Sequence, residues 1–237
     1  MVIDLDRCQG CRACAEACKV ENNTPAAVFW MHVFRFEEGT YPNVHVRFLP
    51  RPCQHCDNAP CAKVCPVGAR FKRADGIVST DWERCIGCRY CEVACPYGVN
   101  YFNWKEPGKN QYVSWEGAGG GQVPPYRNPD LDRRYGPEKR RIAGGGHLKG
   151  IIEKCTFCVQ RIDTGLDPAC VANCPLDALH FGDLDDPQSG VSRMLESRPS
   201  FVLLEEAGTK PRVHYVGKHG HPPHADTREI EPLRARV

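Results

Sequence analysis

The chain has 237 residues, room for one large domain or two small ones. Its 31 basic and 29 acidic residues leave a net charge of +2, which excludes the electropositive footprint of a nucleic-acid-binding protein. Hydrophobic residues make up 41%, the mean hydropathy is -0.47, and no apolar run is long enough to span a membrane.

A core this modest needs a supplement, and the chain carries 16 cysteines that can supply folding free energy through metal binding. Val2 to Leu5 predicts a short strand. The opening MVIDLDRC runs straight into a motif, with no charged segment followed by an apolar one, so no signal peptide is expected and export would depend on a carrier partner. Cys8, Cys11, Cys14 and Cys18 follow in the spacing C-x2-C-x2-C-x3-C, the last two on a helix predicted over Arg12 to Glu21. The apolar stretch from Ala26 to Phe34 is short and interrupted by His32.

Val44 to Leu49 alternates and predicts a strand. It leads into Cys53, Cys56, Cys61 and Cys65, spaced C-x2-C-x4-C-x3-C. His55 lies inside this group. With four thiols already present, it is expected to support the ligands rather than to be one. A strand over Gly76 to Thr80 precedes Cys85, Cys88, Cys91 and Cys95, spaced like the first group, and a strand over Val99 to Asn103 follows. Residues 105–149 are Gly/Pro-rich and charged. Their glycine runs do not match G-x-G-x-x-G and are followed by prolines, so a surface loop covering a partner is expected, not a nucleotide site. Cys155, Cys158, Cys170 and Cys174 are spaced C-x2-C-x11-C-x3-C, with a strand predicted over Leu179 to Leu184. Residues 200–216 read as two strands around a turn. A polar tail with His219, His221 and His224 reads as extended.

The four groups form an internal repeat of a metal-binding unit. The three thiols of C-x2-C-x2-C lie on a tight loop and can reach three corners of one cubane. The fourth follows a short helix and points away; in bacterial two-cluster ferredoxins it binds the neighbouring cluster. Cys65-Pro66, Cys95-Pro96 and Cys174-Pro175 place a helix-stopping proline just past that ligand. A disulfide framework fits poorly, because three thiols this close in sequence cannot serve three long bridges. Zinc sites instead pair two C-x2-C knuckles across a longer spacer, and the C-x3-C-x2-C triplet of radical enzymes is absent. The expected fold is α+β: two ferredoxin-like modules related by internal repeat, each holding two [4Fe-4S] clusters by exchange of fourth cysteines, with a long loop insert and a C-terminal extension. Arg7, Arg12, Lys19, Lys63, Arg84, Arg89, Lys154 and Arg161 lie close to ligands in sequence, and a positive charge near a cluster raises its potential. Lys154 and Arg89 are the expected tuners.

The segments MVIDLDRCQGCRAC, KVENNTP, CQHCDNAPCAKVCPVGA, CIGCRYCEVACPYGV, EKCTFCVQRI, FGDLDDPQS and EAGTKPRVHYV together resemble the four-cluster iron–sulfur (beta) subunits of the dimethyl sulfoxide reductase, or molybdopterin oxidoreductase, superfamily. The likeness is greatest to those of respiratory arsenate, polysulfide/thiosulfate and tetrathionate reductases. The resemblance implies a nested pairing. Cys8, Cys11, Cys14 and Cys174 would hold one cluster, and Cys155, Cys158, Cys170 and Cys18 a second. Cys53, Cys56, Cys61 and Cys95 would hold a third, and Cys85, Cys88, Cys91 and Cys65 a fourth. All four cysteines of the third group are present, so four [4Fe-4S] clusters are expected where some relatives carry a three-iron cluster. The implied modules are 1–43 with 150–185, and 44–104, followed by the insert at 105–149 and an extension at 186–237.

No residue is expected to be catalytic in this electron-transfer subunit. The implied partners are a catalytic subunit with a molybdenum or tungsten pterin cofactor, and a membrane quinone-reactive subunit or cytochrome. KVENNTP and the C-terminal strands are the implied docking surfaces. The periplasmic face of the cytoplasmic membrane is the expected location, with the cytoplasm as alternative. A subunit of a hydrogenase or quinol:electron-acceptor complex is the alternative function.

Overall fold

The computed structural model describes residues 1–25, 27–106, 133–144, 147–218 and 220. The tail histidines His219, His221 and His224 and residues 107–132 of the insert lie outside these. The described elements run β1 (Val2–Asp4), α1 (Ala13–Asn22), β2 (His32–Thr40), β3 (Asn43–Arg51), α2 (Pro60–Lys63), β4 (Arg70–Lys72), β5 (Val78–Thr80), α3 (Tyr90–Val93), β6 (Tyr101–Phe102) and β7 (Ile152–Glu153). They continue with α4 (Val159–Ile162), α5 (Ala169–Ala172), β8 (Leu179–His180), α6 (Gly190–Ser197), β9 (Ser200–Phe201), a 3-10 turn at Glu205–Ala207, and β10 (His214–Val216).

The expected strands are present at β1, β3, β5, β6, β8, β9 and β10, several of them shorter than their sequence patterns. Three further strands are present: β7, which pairs antiparallel with β6, and two that complete hairpins. β2 pairs antiparallel with β3 from His32 opposite Arg51 to Thr40 opposite Asn43, and β4 pairs with β5. Both were masked in the sequence by charged residues, Arg35, Glu37 and Glu38 in one and Arg70 and Lys72 in the other.

Helices α2, α3 and α5 are short because each spans only the step from the third to the fourth cysteine of its group, where a Cys-Pro pair stops it. α2 starts on Pro60, whose fixed φ suits a first helical turn. Helix α1 packs against α5, and α2 against α3. The segments carrying the first and fourth cysteine groups therefore meet each other, as do those carrying the second and third.

One apolar core surrounds the thiols: Trp30, Leu49, Trp82, Tyr97, Ile152 and Leu203 are buried in the same cluster as Cys14, Cys18, Cys53, Cys155 and Cys170. The described end of the insert belongs in part to this core, although residues 136–139 are exposed. Tyr135, Ile142, Ala143 and His147 are buried, and the Trp82 N–H donates to the Arg141 carbonyl at 2.9 Å. Apolar and aromatic side chains inside a Gly/Pro-rich stretch are the reason, since they gain more from burial than from water.

The C-terminal residues close the fold over its start. The four-stranded sheet runs β8-β1-β10-β9, with β10 parallel to β1 (Ile3 opposite Tyr215) and the other pairs antiparallel. Helix α6, capped by Ser189 Oγ accepting from the Ser192 N–H at 3.2 Å, buries Val191 against Val2 and Val216. Just beyond it, Arg198 reaches the buried Asp4 carboxylate and, at 3.0 Å, Asp6. Burial works against ionisation of Asp4, but Arg198 and the Asp6 and Arg7 backbone N–H groups outweigh it and hold its pKa below 3.8. A depressed carboxylate pKa contributes stability above the unfolded-state value, and that contribution is lost as pH falls through the folded-state value. Arg198→Met is therefore expected to cost about 1–3 kcal/mol at pH 7. The gap between variant and parent should narrow as pH falls below the unfolded-state carboxylate value, about 3.9. Thermal unfolding of both proteins across pH 3–7 checks this, and a gap independent of pH would rule out Asp4 as the group responsible.

Candidate metal centres

In all four groups the residue before the second cysteine has left-handed backbone: Gly10 (φ 68°), His55 (φ 43°), Gly87 (φ 69°) and Phe157 (φ 54°). That reversal lets two thiols two residues apart face the same space. At Gly87 glycine is obligatory, since a Cβ would sit 2.1 Å from the Gly150 carbonyl oxygen. His55 and Phe157 carry the strain of this conformation, about 1–3 kcal/mol each. Their rings stack on each other at 3.8 Å and 24°, which offsets part of it.

The thiols converge from distant parts of the chain. Cys8, Cys11, Cys14 and Cys174 line one cavity of about 300 Å³. Cys53, Cys56, Cys61 and Cys95 line a second of about 320 Å³, with His55 and Lys154. Cys65, Cys85, Cys88 and Cys91 line a third of about 310 Å³, with Arg70 and Arg89. The near-equal volumes suit occupants of one size. Cys18, Cys155, Cys158 and Cys170 form the fourth group. Asn22 Nδ2 sits 3.5 Å from Cys18 Sγ and 3.6 Å from Cys158 Sγ, and Cys155, Cys158 and Cys170 all raise the Cys18 thiol pKa beyond what burial alone does.

The same electrostatics orders the groups. Burial pushes the Cys170 thiol up, as do Cys158 and Cys155 of its own group and then Cys14 of the Cys8 group. Cys155 is pushed up to about 12 by burial and then by Cys53. Cys91 is raised by burial, with Cys61 adding to the effect. The Cys8, Cys18, Cys53 and Cys85 groups are thus successive neighbours. Cys11 and Cys88, the exposed thiols, lie in the two outer groups.

Burial also pushes Cys14 and Cys56 up to about 12. Metal binding, which needs thiolates, must therefore release protons here. Backbone N–H groups already point at sulfur: Ala178 at Cys174 (3.3 Å), Arg70 at Cys65 (3.4 Å) and Phe157 at Cys155 (3.4 Å). All sixteen thiols are free. Four thiols per group, matched cavities and N–H donors aimed at sulfur fit iron–sulfur cubanes, whose sulfurs take hydrogen bonds of this kind.

The structure sorts the basic residues. Lys154 is buried at the edge of the Cys53 cavity, its Nζ donating to the Val78 carbonyl and, at 2.9 Å, to the Cys155 carbonyl. Arg89 is half-exposed and its charge is met by Glu92 at 2.9 Å, so of the two expected tuners only Lys154 is buried. Arg7 pairs with Asp177 at 2.7 Å and Arg161 with Glu21 at 3.2 Å, while Lys19 donates to the Pro25 and Val28 carbonyls at 3.0 Å. His55 accepts from the Val78 N–H through Nδ1 at 3.1 Å. Burial, and Lys154 after it, hold its pKa well below the ordinary value, so its proton sits on Nε2.

Sequence reasoning missed Arg70, Asn22 and His147. Arg70 lies in a strand masked by its own charges, and only the β4–β5 hairpin makes its burial legible. KVENNTP, expected as a docking surface, is largely interior: Glu21, Asn22 and Thr24 are buried, and Gln160 Nε2 donates to both Glu21 and Asn22 at 3.1 Å. The C-terminal strands are likewise occupied, with Tyr215 and Val216 buried in the sheet.

Four successive groups of buried thiols on short helices and hairpins define a ferredoxin-type iron–sulfur protein. The 4Fe-4S dicluster domain family matches residues 44–111 and 144–184, and the 4Fe-4S binding domain family matches residues 1–21. The chain is 44% identical to the arsenate respiratory reductase iron–sulfur subunit of a Shewanella species, over 93% of this chain and 96% of that protein. It is 42% identical to a putative dimethyl sulfoxide reductase iron–sulfur subunit of Halobacterium salinarum, over 91% of this chain and 78% of that one. It is 38% identical to a tetrathionate reductase subunit of Salmonella typhimurium, over 100% and 76% respectively. The chain therefore belongs to the family of iron–sulfur subunits of these reductases, the expected one, and its role is electron transfer within a multi-subunit oxidoreductase.

His147 fastens the β6–β7 hairpin to the Cys18 group. Its Nε2 donates to the Asn22 carbonyl at 2.8 Å, its Nδ1 meets Glu153 at 2.7 Å, and Asn103 donates to the same Glu153 oxygen at 2.8 Å. His147→Phe leaves a buried carboxylate short of a partner and is expected to cost about 3–5 kcal/mol. The double variant His147→Phe/Glu153→Leu should recover much of that loss. Denaturation of single and double variants compares them; a double variant worse than the sum of its parts would contradict the coupling.

Proposed function

We propose that this chain is a wire of four [4Fe-4S] clusters with the nested ligand sets: Cys8, Cys11, Cys14 and Cys174; Cys18, Cys155, Cys158 and Cys170; Cys53, Cys56, Cys61 and Cys95; Cys65, Cys85, Cys88 and Cys91. The observation that carries the reading is that these same sets converge in space and follow one another in a row, with exposed thiols in the outer two. When bound, the clusters supply reversible one-electron storage. The chain's residues hold that charge out of water, donate N–H groups to sulfur and fix the order of the sites. Residues 1–43 with 150–185 form one module and 44–104 the other, in keeping with the packing of α1 on α5 and α2 on α3.

In this reading electrons pass between a molybdopterin catalytic subunit and a membrane quinone-linked subunit or cytochrome of an anaerobic respiratory oxidoreductase. Membership among the iron–sulfur subunits of reductases supports the catalytic partner. No helix among the described residues is long and apolar enough to cross a membrane, so a membrane link is assigned to a partner. The complex is placed on the periplasmic face of the cytoplasmic membrane, exported with that partner.

The test is elemental analysis of the complex isolated anaerobically through this chain. About 16 iron per copy, four clusters of four, with about one molybdenum or tungsten is expected. Iron without either metal would end the molybdopterin assignment, and zinc in place of iron would end the redox one. The nesting has its own check. Cys18→Ser is expected to remove or alter the cluster of the Cys155 group, while the spectrum of the Cys8-group cluster stays as it was. Loss of the Cys8-group signal instead would reverse the ligand assignment.

A further inference from the structure

Arg70 is a buried cation whose side chain donates directly to a thiol sulfur. It sits in β4 opposite Thr80 and is 3% exposed. Its Nη2 donates to Cys91 Sγ at 3.3 Å and its backbone N–H to Cys65 Sγ at 3.4 Å, so it holds two thiols of the Cys85 cavity that it also lines. Its Nε and Nη1 are buried without a partner among the described residues. No carboxylate among those residues pairs with it, whereas Arg73, three positions on, meets Asp75 and Asp163. A guanidinium taken out of water without a counter-anion costs several kcal/mol, so core filling does not account for it.

The anions that face Arg70 are sulfurs. Cys91 and Cys65, the two thiols it contacts, both belong to the Cys85 cavity. Around the Cys8 and Cys18 groups, Arg7 is half-exposed and paired with Asp177, Lys154 beside Cys155 gives its Nζ to the Val78 and Cys155 carbonyls, and the donor at Cys18 and Cys158 is the neutral Asn22 amide.

We propose that Arg70 is the counter-cation of the cluster held by the Cys85 group, and that it raises that cluster's reduction potential. The proposal rests on the thiol groups being cluster ligands, as read above. An added electron makes the cluster more negative, and attraction to a fixed cation in a poorly screened interior favours that state.

EPR-monitored redox titration of the intact complex tests this. In Arg70→Gln, the signal of the Cys85-group cluster is expected to move to lower potential by about tenfold or more in the one-electron equilibrium, about 59 mV, and further than any other cluster signal. Arg70→Lys, which keeps the charge, should retain most of the parent value. Unmoved potentials at full iron content overturn the proposal, as does an equal shift of all four. Should Arg70→Gln lose iron, the unsubstituted complex labelled with 15N-arginine decides. Pulsed EPR should find a nitrogen coupling at the reduced cluster of the Cys85 group that disappears in Arg70→Lys, and no coupling overturns the proposal. Iron far below about 16 per chain in the unsubstituted complex would instead fail the four-cluster reading on which it rests.

Discussion

Sulfur ligands held in an apolar interior are the constraint on which the rest of this structure depends. The same burial that keeps water from the thiols makes their ionised form costly, which is why Cys14, Cys56 and Cys155 are pushed up to about 12 in the metal-free chain. Iron, N–H donors and buried cations are the means of meeting that cost. The structure supplies the last two from its own residues: the Ala178, Arg70 and Phe157 N–H groups, the Asn22 amide, and the interior charges of Arg70 and Lys154. A thin core with mean hydropathy -0.47 is consistent with a fold whose centre is organised by metal ligands.

The architecture follows from sending each fourth cysteine to a neighbouring site. Cys174 must reach the Cys8 loop from 160 residues and more away, so the chain's end has to return to its beginning. The β10–β1 pairing, the seating of α6 on Val2 and Val216, and the Arg198–Asp4 contact are the physical form of that return. In the middle of the row, His55 and Phe157 meet face to face, each in left-handed backbone next to a cysteine. This contact joins the Cys53 and Cys155 loops, the point at which the two halves of the wire touch.

The copies of the motif differ in the charges around them. Arg70 faces Cys91 and Cys65 of the Cys85 group with no carboxylate partner among the described residues, while Lys154, which lines the Cys53 cavity and precedes Cys155, is held by the Val78 and Cys155 carbonyls, and Arg7 and Arg161 are spent on acids.

Much was legible in the residues themselves. The spacing of the cysteines, the prolines after three of the four groups, and the strands at β1, β3 and β5 follow from local rules: how far a thiol reaches on a tight loop, what stops a helix, and which residues suit a strand. The cofactor class needed nothing more. Only the tertiary structure decided which cations face the sulfurs, because that depends on which side of a hairpin a residue lands. Arg89, in the motif itself, is turned toward Glu92 and solvent, while Arg70, in a strand hidden by its own charge, is turned inward. It also decided that much of KVENNTP and part of the end of the insert are interior, since their burial depends on Gln160, Glu153 and Trp82, partners far away in sequence. Local chemistry specifies what a site is made of; long-range packing sets the electrostatic surroundings in which it works.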